Sequence, residues 1–135
     1  MPELPEVETV RRGLEPHLTG ARLVRVEQRR GDLRFPLPDR FAERLTGVGV
    51  EALERRAKYM LARLDTGETL VIHLGMTGRF DVGDAQPGKF HHPAGDDPKH
   101  THIVFETDGG ARIAFNDARR FGYMDILPTA ALDRH

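Results

Sequence analysis

A chain of 135 residues with 39% hydrophobic and 30% charged side chains suits one compact domain with a core of its own and excludes wholesale disorder. Its net charge of −1 carries no bulk basic signature, so a nucleic-acid partner has to be argued from local clusters. There is no cysteine, which excludes disulfides and thiolate zinc ligation within the chain, and no apolar run reaches membrane-spanning length.

Residues 5 to 18 predict a helix. Pro5 suits the first turn, Glu6 and Glu8 lie at the positive end of the helix dipole, and Val7, Val10, Leu14 and Leu18 recur on one face. Pro16 and Gly20 signal its end. A second short helix is predicted from Pro38 or Asp39 to Leu45, closed by Gly47. The rest reads as β, with strands at Leu23–Gln28, Val48–Arg56, Tyr59–Leu64, Thr69–Leu74, Arg79–Val82, Thr101–Glu106, Ala111–Asn116 and Gly122–Leu127. Asp65-Thr66-Gly67 and Asp108-Gly109-Gly110 are turn signals between strand pairs. Strands at this spacing predict an antiparallel sandwich or barrel. Residues 83–99, with Pro87, Gly88, Pro93, Gly95 and Pro98, predict a long mobile loop. The tail after Leu127-Pro128 reads as the start of a linker or helix.

Several residues can carry chemistry. Pro2 follows the initiator methionine, and removal of Met1 would leave it a secondary amine; a free α-amine has a pKa of about 7.7–8.0 and is partly unprotonated at neutral pH. Such an amine can attack an electrophilic sugar carbon, and the neighbouring Glu3 can act as its acid or base. Lys58 is one of three lysines beside seventeen arginines, and lysine, unlike arginine, can give up its proton. His73-Leu74-Gly75-Met76-Thr77-Gly78 is a strand running into a glycine-bracketed turn that can project Met76. In Asn116-Asp117-Ala118-Arg119-Arg120-Phe121-Gly122, Arg119 can bond a base edge or phosphate and Phe121 can enter a base stack; Met76 can do the same, although core filling is the commoner fate of both types. His91, His92, His100 and His102 match no zinc spacing, and no metal site is expected in this chain.

The opening Pro2-Glu3-Leu4-Pro5-Glu6-Val7-Glu8-Thr9-Val10-Arg11-Arg12-Gly13-Leu14 resembles that of bacterial formamidopyrimidine-DNA glycosylases. Arg55-Arg56-Ala57-Lys58, His73-Leu74-Gly75-Met76-Thr77-Gly78 and Asp117-Ala118-Arg119-Arg120-Phe121-Gly122 resemble further motifs of that family, in the same order. The likeness covers essentially the whole chain but only the first half of the family's usual length. It implies a two-sheet antiparallel β-sandwich of about eight strands with an N-terminal helix and a second short helix, all within one catalytic domain spanning residues 1–135. It also implies roles: the catalytic set is Pro2 as nucleophile through a Schiff base, Glu3 as the acid that opens the sugar ring, and Lys58, which binds a phosphate near the lesion and assists strand cleavage, while His73 contacts the DNA backbone. Met76, Arg119 and Phe121 would fill the gap left by the flipped nucleotide, with Arg119 facing the orphaned cytosine. The implied activity is excision of oxidised purines followed by β,δ-elimination at the abasic site.

The implied partner is damaged double-stranded DNA, met by a monomer in the bacterial cytoplasm, at the nucleoid, with no membrane contact. No cofactor is expected in this chain; the family's structural zinc belongs to a C-terminal zinc finger that, like the helix–two-turn–helix element, has no counterpart here. The isolated domain is therefore expected to be weakly active or inactive. Ala118 stands where the family often has proline, which frees the backbone of that loop. The alternatives are an endonuclease VIII-like enzyme for oxidised pyrimidines, a non-catalytic DNA-binding fragment, and an interaction sandwich that merely shares the fold.

Overall fold

The computed structural model describes residues 4–84 and 99–132. Pro2, Glu3, His91, His92 and nearly all of the predicted 83–99 loop lie outside the described residues. In chain order the elements are α1 (Leu4–Leu18), β1 (Leu23–Gln28), α2 (Phe41–Leu45), β2 (Val50–Arg56), β3 (Tyr59–Leu64), β4 (Glu68–His73), β5 (Gly78–Asp84), β6 (Thr101–Thr107), β7 (Ala111–Asp117), β8 (Tyr123–Pro128) and α3 (Thr129–Leu132). None of these helices is long and apolar enough to cross a membrane.

The strands form two four-stranded sheets, ordered β1-β6-β7-β5 and β2-β3-β4-β8, with every pairing antiparallel. The choice between sandwich and barrel resolves as a sandwich joined at one corner. There the Leu23 amide donates to the Val48 carbonyl at 2.8 Å, the Val50 amide donates to Ala21 at 2.8 Å, and Arg22 bridges Gly49. Those bonds delay the start of β2 to Val50, two residues after the predicted start. Bulges follow in both strands, between Leu23 and Arg25 and between Val50 and Ala52. The extra residue explains why Leu23 and Val26, and likewise Val50 and Leu53, are buried three apart instead of two.

The core lies between the sheets. Met60, Ala62, Leu70, Ile72, Met124 and Ile126 face Ile103, Phe105, Ile113 and Phe115, and α1 adds Val7, Leu14 and Leu18. The helix is pinned from outside the core as well. Glu8 accepts bonds from Arg11 and Arg12 on its own helix and from Arg55 on β2, while Arg11 donates to the Leu53 carbonyl at 3.1 Å. The Arg11 and Arg55 hydrogen bonds hold the Glu8 carboxyl far below the usual carboxylate range, so it remains a carboxylate at any ordinary pH. Its role exceeds the helix-dipole complement that its position in the sequence suggests. In α2 the first helical residue is Phe41, because Arg40 adopts a left-handed conformation with φ 58°.

Candidate nucleic-acid interface

The outer face of the second sheet carries a row of three aromatic rings set by strand register. Tyr59 on β3 lies opposite His73 on β4, which lies opposite Tyr123 on β8. The His73 and Tyr123 rings stack with centroids 5.1 Å apart and planes 10° apart, and the Tyr123 hydroxyl donates to that of Tyr59 at 2.9 Å. Phe35 meets Tyr123 edge-on at 5.3 Å, and the Arg34 guanidinium sits 5.5 Å from the Phe35 ring centre.

This enclosure decides the state of His73. Burial lowers its pKa, and the positive charges of Arg34 and Lys58 lower it further. Its Nδ1 accepts the Gly75 amide at 3.1 Å, so the neutral ring carries its proton on Nε2 and has one N–H to donate. Desolvation, with the Tyr59 hydrogen bond second, pushes the Tyr123 phenol up to about 12.

Lys58 occupies the two-residue tip between Arg56 and Tyr59, where Ala57 has φ 53°. Arg55 donates to the Ala57 carbonyl at 3.1 Å and to Glu8 of α1 at 3.0 Å, which ties the hairpin tip to the helix. Lys58 is half-buried, and its charge reaches His73. Pro2 and Glu3, predicted as the nucleophile and its acid, precede this helix and lie outside the described residues.

The remaining predicted site residues converge. A cleft of about 570 Å³ is lined by Arg34, His73, Met76, Arg119, Arg120 and Phe121, among others. Met76 is 50% exposed and Phe121 43%, large apolar side chains at a polar surface instead of in the core. The loops that carry them touch through backbone. A Cβ on Gly75 would meet the Phe121 carbonyl carbon at 2.5 Å, and one on Gly122 would meet the His73 carbonyl oxygen at 2.7 Å. Arg120 is held left-handed at φ 55°, so Arg119 and Phe121 flank a strained residue. Exposed Met76, Arg119 and Phe121 beside a neutral histidine donor can contact bases and backbone together.

Sequence reading did not single out Arg34, Arg120, Tyr59 or Tyr123. Arg34 comes from the segment between β1 and α2 and is anchored by its amide, which donates to the Gly122 carbonyl at 3.0 Å. The signal that could have found the tyrosines is strand register, which places both beside His73 once the hairpins are aligned. Of the four histidines weighed as metal ligands, His102 is buried and its Nε2 lies 2.7 Å from the Asp117 carbonyl, a structural contact. Among the described residues no group of three or more potential ligands could hold a metal ion.

Comparison with known proteins gives the family and the fold. Residues 1–124 match the family model described as the formamidopyrimidine-DNA glycosylase N-terminal domain. The formamidopyrimidine-DNA glycosylase of Phenylobacterium zucineum is 61% identical over 139 residues, covering 100% of this chain and 48% of the relative. Among solved structures, the Lactococcus lactis enzyme bound to DNA with an abasic site superposes with TM-score 0.79 at 27% identity, over 98% of this chain and 46% of that one. The same bacterium's enzyme bound to DNA containing FAPY-dG gives TM-score 0.79 at 25% identity, with the same coverage of 98% and 46%. The chain thus spans about half the length of the curated relatives it matches.

Proposed function

Because this chain belongs to the formamidopyrimidine-DNA glycosylase family, we propose that it is the catalytic N-terminal domain of a base-excision repair enzyme acting on oxidised purines in duplex DNA. The supporting observation is the cleft, where exposed Met76 and Phe121 stand beside Arg119 and the His73 donor. Apolar side chains at the lip can occupy the space of an extruded nucleotide, while Arg119 meets the orphaned base and His73 and Lys58 hold the backbone. The FAPY-dG and abasic DNA bound by the Lactococcus lactis enzyme favour an oxidised purine and its abasic product as the ligands.

The chemistry starts at Pro2, made a secondary amine by loss of Met1. Its lone pair attacks C1′ of the damaged nucleotide, and the bond from C1′ to the base breaks, the base leaving with the electron pair and collecting a proton. Glu3 protonates the ring oxygen, the sugar opens, and an iminium joins the proline nitrogen to C1′. Loss of a C2′ proton then expels the 3′ phosphate, and a second elimination expels the 5′ phosphate. These steps draw on the terminal amine and side chains alone, with no cofactor in this chain. The 135 residues act as one domain, as a monomer in the cytoplasm.

The test is borohydride trapping of the 135-residue chain, with Met1 removal verified by intact mass, on an abasic single strand. That substrate removes most of the flipping cost, so reaction appears there first and only weakly on damaged duplex. A covalent adduct reduced at the iminium is expected from the Met1-free chain and not from the chain that keeps Met1. No adduct from the Met1-free chain when it is joined to the C-terminal half of a full-length relative and binds the abasic strand overturns the nucleophile assignment.

A further inference from the structure

The two loops at the lip of the cleft each cross between the sheets, one from β4 to β5 and the other from β7 to β8, and although 40 residues apart they share one carboxylate. Asp117 ends β7, pairs with Gly78 at the start of β5, and is fully buried. Its Oδ1 accepts the Thr77 hydroxyl from the Met76 loop and the Arg120 amide at 3.1 Å. Its Oδ2 accepts the Gly122 amide at 2.8 Å. The Thr77 hydroxyl in turn accepts the Arg119 amide at 3.2 Å. Every one of these bonds lands on a residue directly beside Met76 or Phe121, or on Arg119 itself.

We propose that Asp117, acting through Thr77, is a positioning residue that makes one rigid unit of the Met76 loop and the Arg119–Phe121 loop, so that the groups entering DNA keep a fixed mutual spacing. The physical reasoning is direct. A polar loop that carries exposed apolar side chains has little burial to hold it, and short turns without packing open easily. A buried carboxylate accepting several hydrogen bonds supplies the missing order, because breaking any of them leaves a buried acceptor short of partners. Arg120 at φ 55° needs such an anchor, since nothing in its own side-chain chemistry favours that backbone. The Gly75–Gly122 contact keeps the two backbones close enough for the same carboxylate to reach both.

The consequence for DNA rests on the reading of the preceding subsection; the coupling itself does not, and two measurements separate them. In the DNA-free chain, amide hydrogen exchange is followed by NMR in Thr77→Val, Thr77→Ser and Asp117→Asn. Thr77→Val removes no bond made directly by the Arg120 or Gly122 amide, yet their exchange is expected to accelerate roughly tenfold, the equivalent of about one hydrogen bond. Ile72 and Ile103, in the two sheets, should keep their protection, and Thr77→Ser should restore the loop amides. Wild-type protection of Arg120 and Gly122 in Thr77→Val overturns the coupling. Should Asp117→Asn fail to fold, the threonine pair still decides the question.

The second measurement is affinity for a duplex holding a tetrahydrofuran abasic site and for the same strand alone. Thr77→Val is expected to weaken duplex binding roughly tenfold and to leave single-strand binding unchanged, because only the duplex demands aligned insertion. Equal losses on both overturn the positioning role. A wild-type chain with no preference for the abasic duplex counts against the DNA reading, and the exchange result still decides the coupling.

Discussion

Gly75 lies against Gly122 so closely that a Cβ on Gly75 would stand 2.5 Å from the Gly122 amide nitrogen. The obstacle is backbone, which has no rotamer to yield, and Gly75 also has φ 66°. Gly75→Ala is therefore expected to destabilise the fold by roughly 2–4 kcal/mol, overpacking and left-handed backbone together. Urea unfolding measures it, and an unchanged midpoint would show that the two loops have room to part.

Met76 and Phe121 should behave in the opposite way. Both side chains are about half exposed, so Met76→Ala and Phe121→Ala are expected to change stability by less than about 0.5 kcal/mol. Phe121→Ala should cost roughly 1–3 kcal/mol in binding to an abasic duplex, the range for loss of an aromatic that stacks on a base. Melting curves and fluorescence anisotropy on the same samples check both halves. A large fall in melting temperature with no loss of binding would return Phe121 to a packing role.

Glu8 gives a pH prediction. Its folded-state pKa is depressed by the Arg11 and Arg55 hydrogen bonds. The stability it contributes is present above the ordinary glutamate pKa of about 4.3 and is lost as pH falls below that toward the depressed value. Glu8→Gln should be less stable than wild type at pH 7, and the gap should narrow steadily below pH ~4. Urea midpoints of both proteins between neutral and acid pH test this, with a gap that stays constant being the contrary result.

His73 and His102 have pKa values lowered chiefly by burial. Here the unfolded chain binds the proton first, so stability falls as pH drops from about 6.5 toward the folded-state values. Replacing Arg34 by Met removes one of the two charges that depress His73 and should raise its pKa while leaving that of His102 nearly in place. Carbon-detected titration of the two imidazoles distinguishes them. Equal movement of both would mean that Arg34 acts through the fold and not through its charge.

The strands were legible because alternation at Ile103/Phe105 and Ile113/Phe115 is undisturbed and because Asp65-Thr66-Gly67 and Asp108-Gly109-Gly110 are true turns. The bulges of β1 and β2 were not, since one inserted residue breaks the two-residue period on which strand reading depends. His73, Met76, Arg119 and Phe121 were picked out by motif and meet at one cleft. Asp117 was read as one more polar residue of a turn, because only the folded register reveals that it is buried and which amides it serves. Arg34 and Tyr123 escaped for the same reason, being brought to His73 by pairings between residues distant in sequence.

The strand margins bear on self-association. Each four-stranded sheet has two edges, and a bare edge is a template on which a second copy can add its own strand. β1 and β2 are bulged and bonded to each other at the corner around Arg22 and Gly49, so neither offers a straight run of free amides. β5 carries Arg79, Asp81 and Asp84 along its length, and β8 ends at Pro128, which has no amide proton to give. Among the described residues these features disfavour edge-to-edge pairing of two copies, each margin being guarded by a different device: bulge and corner bonding, charge, or proline.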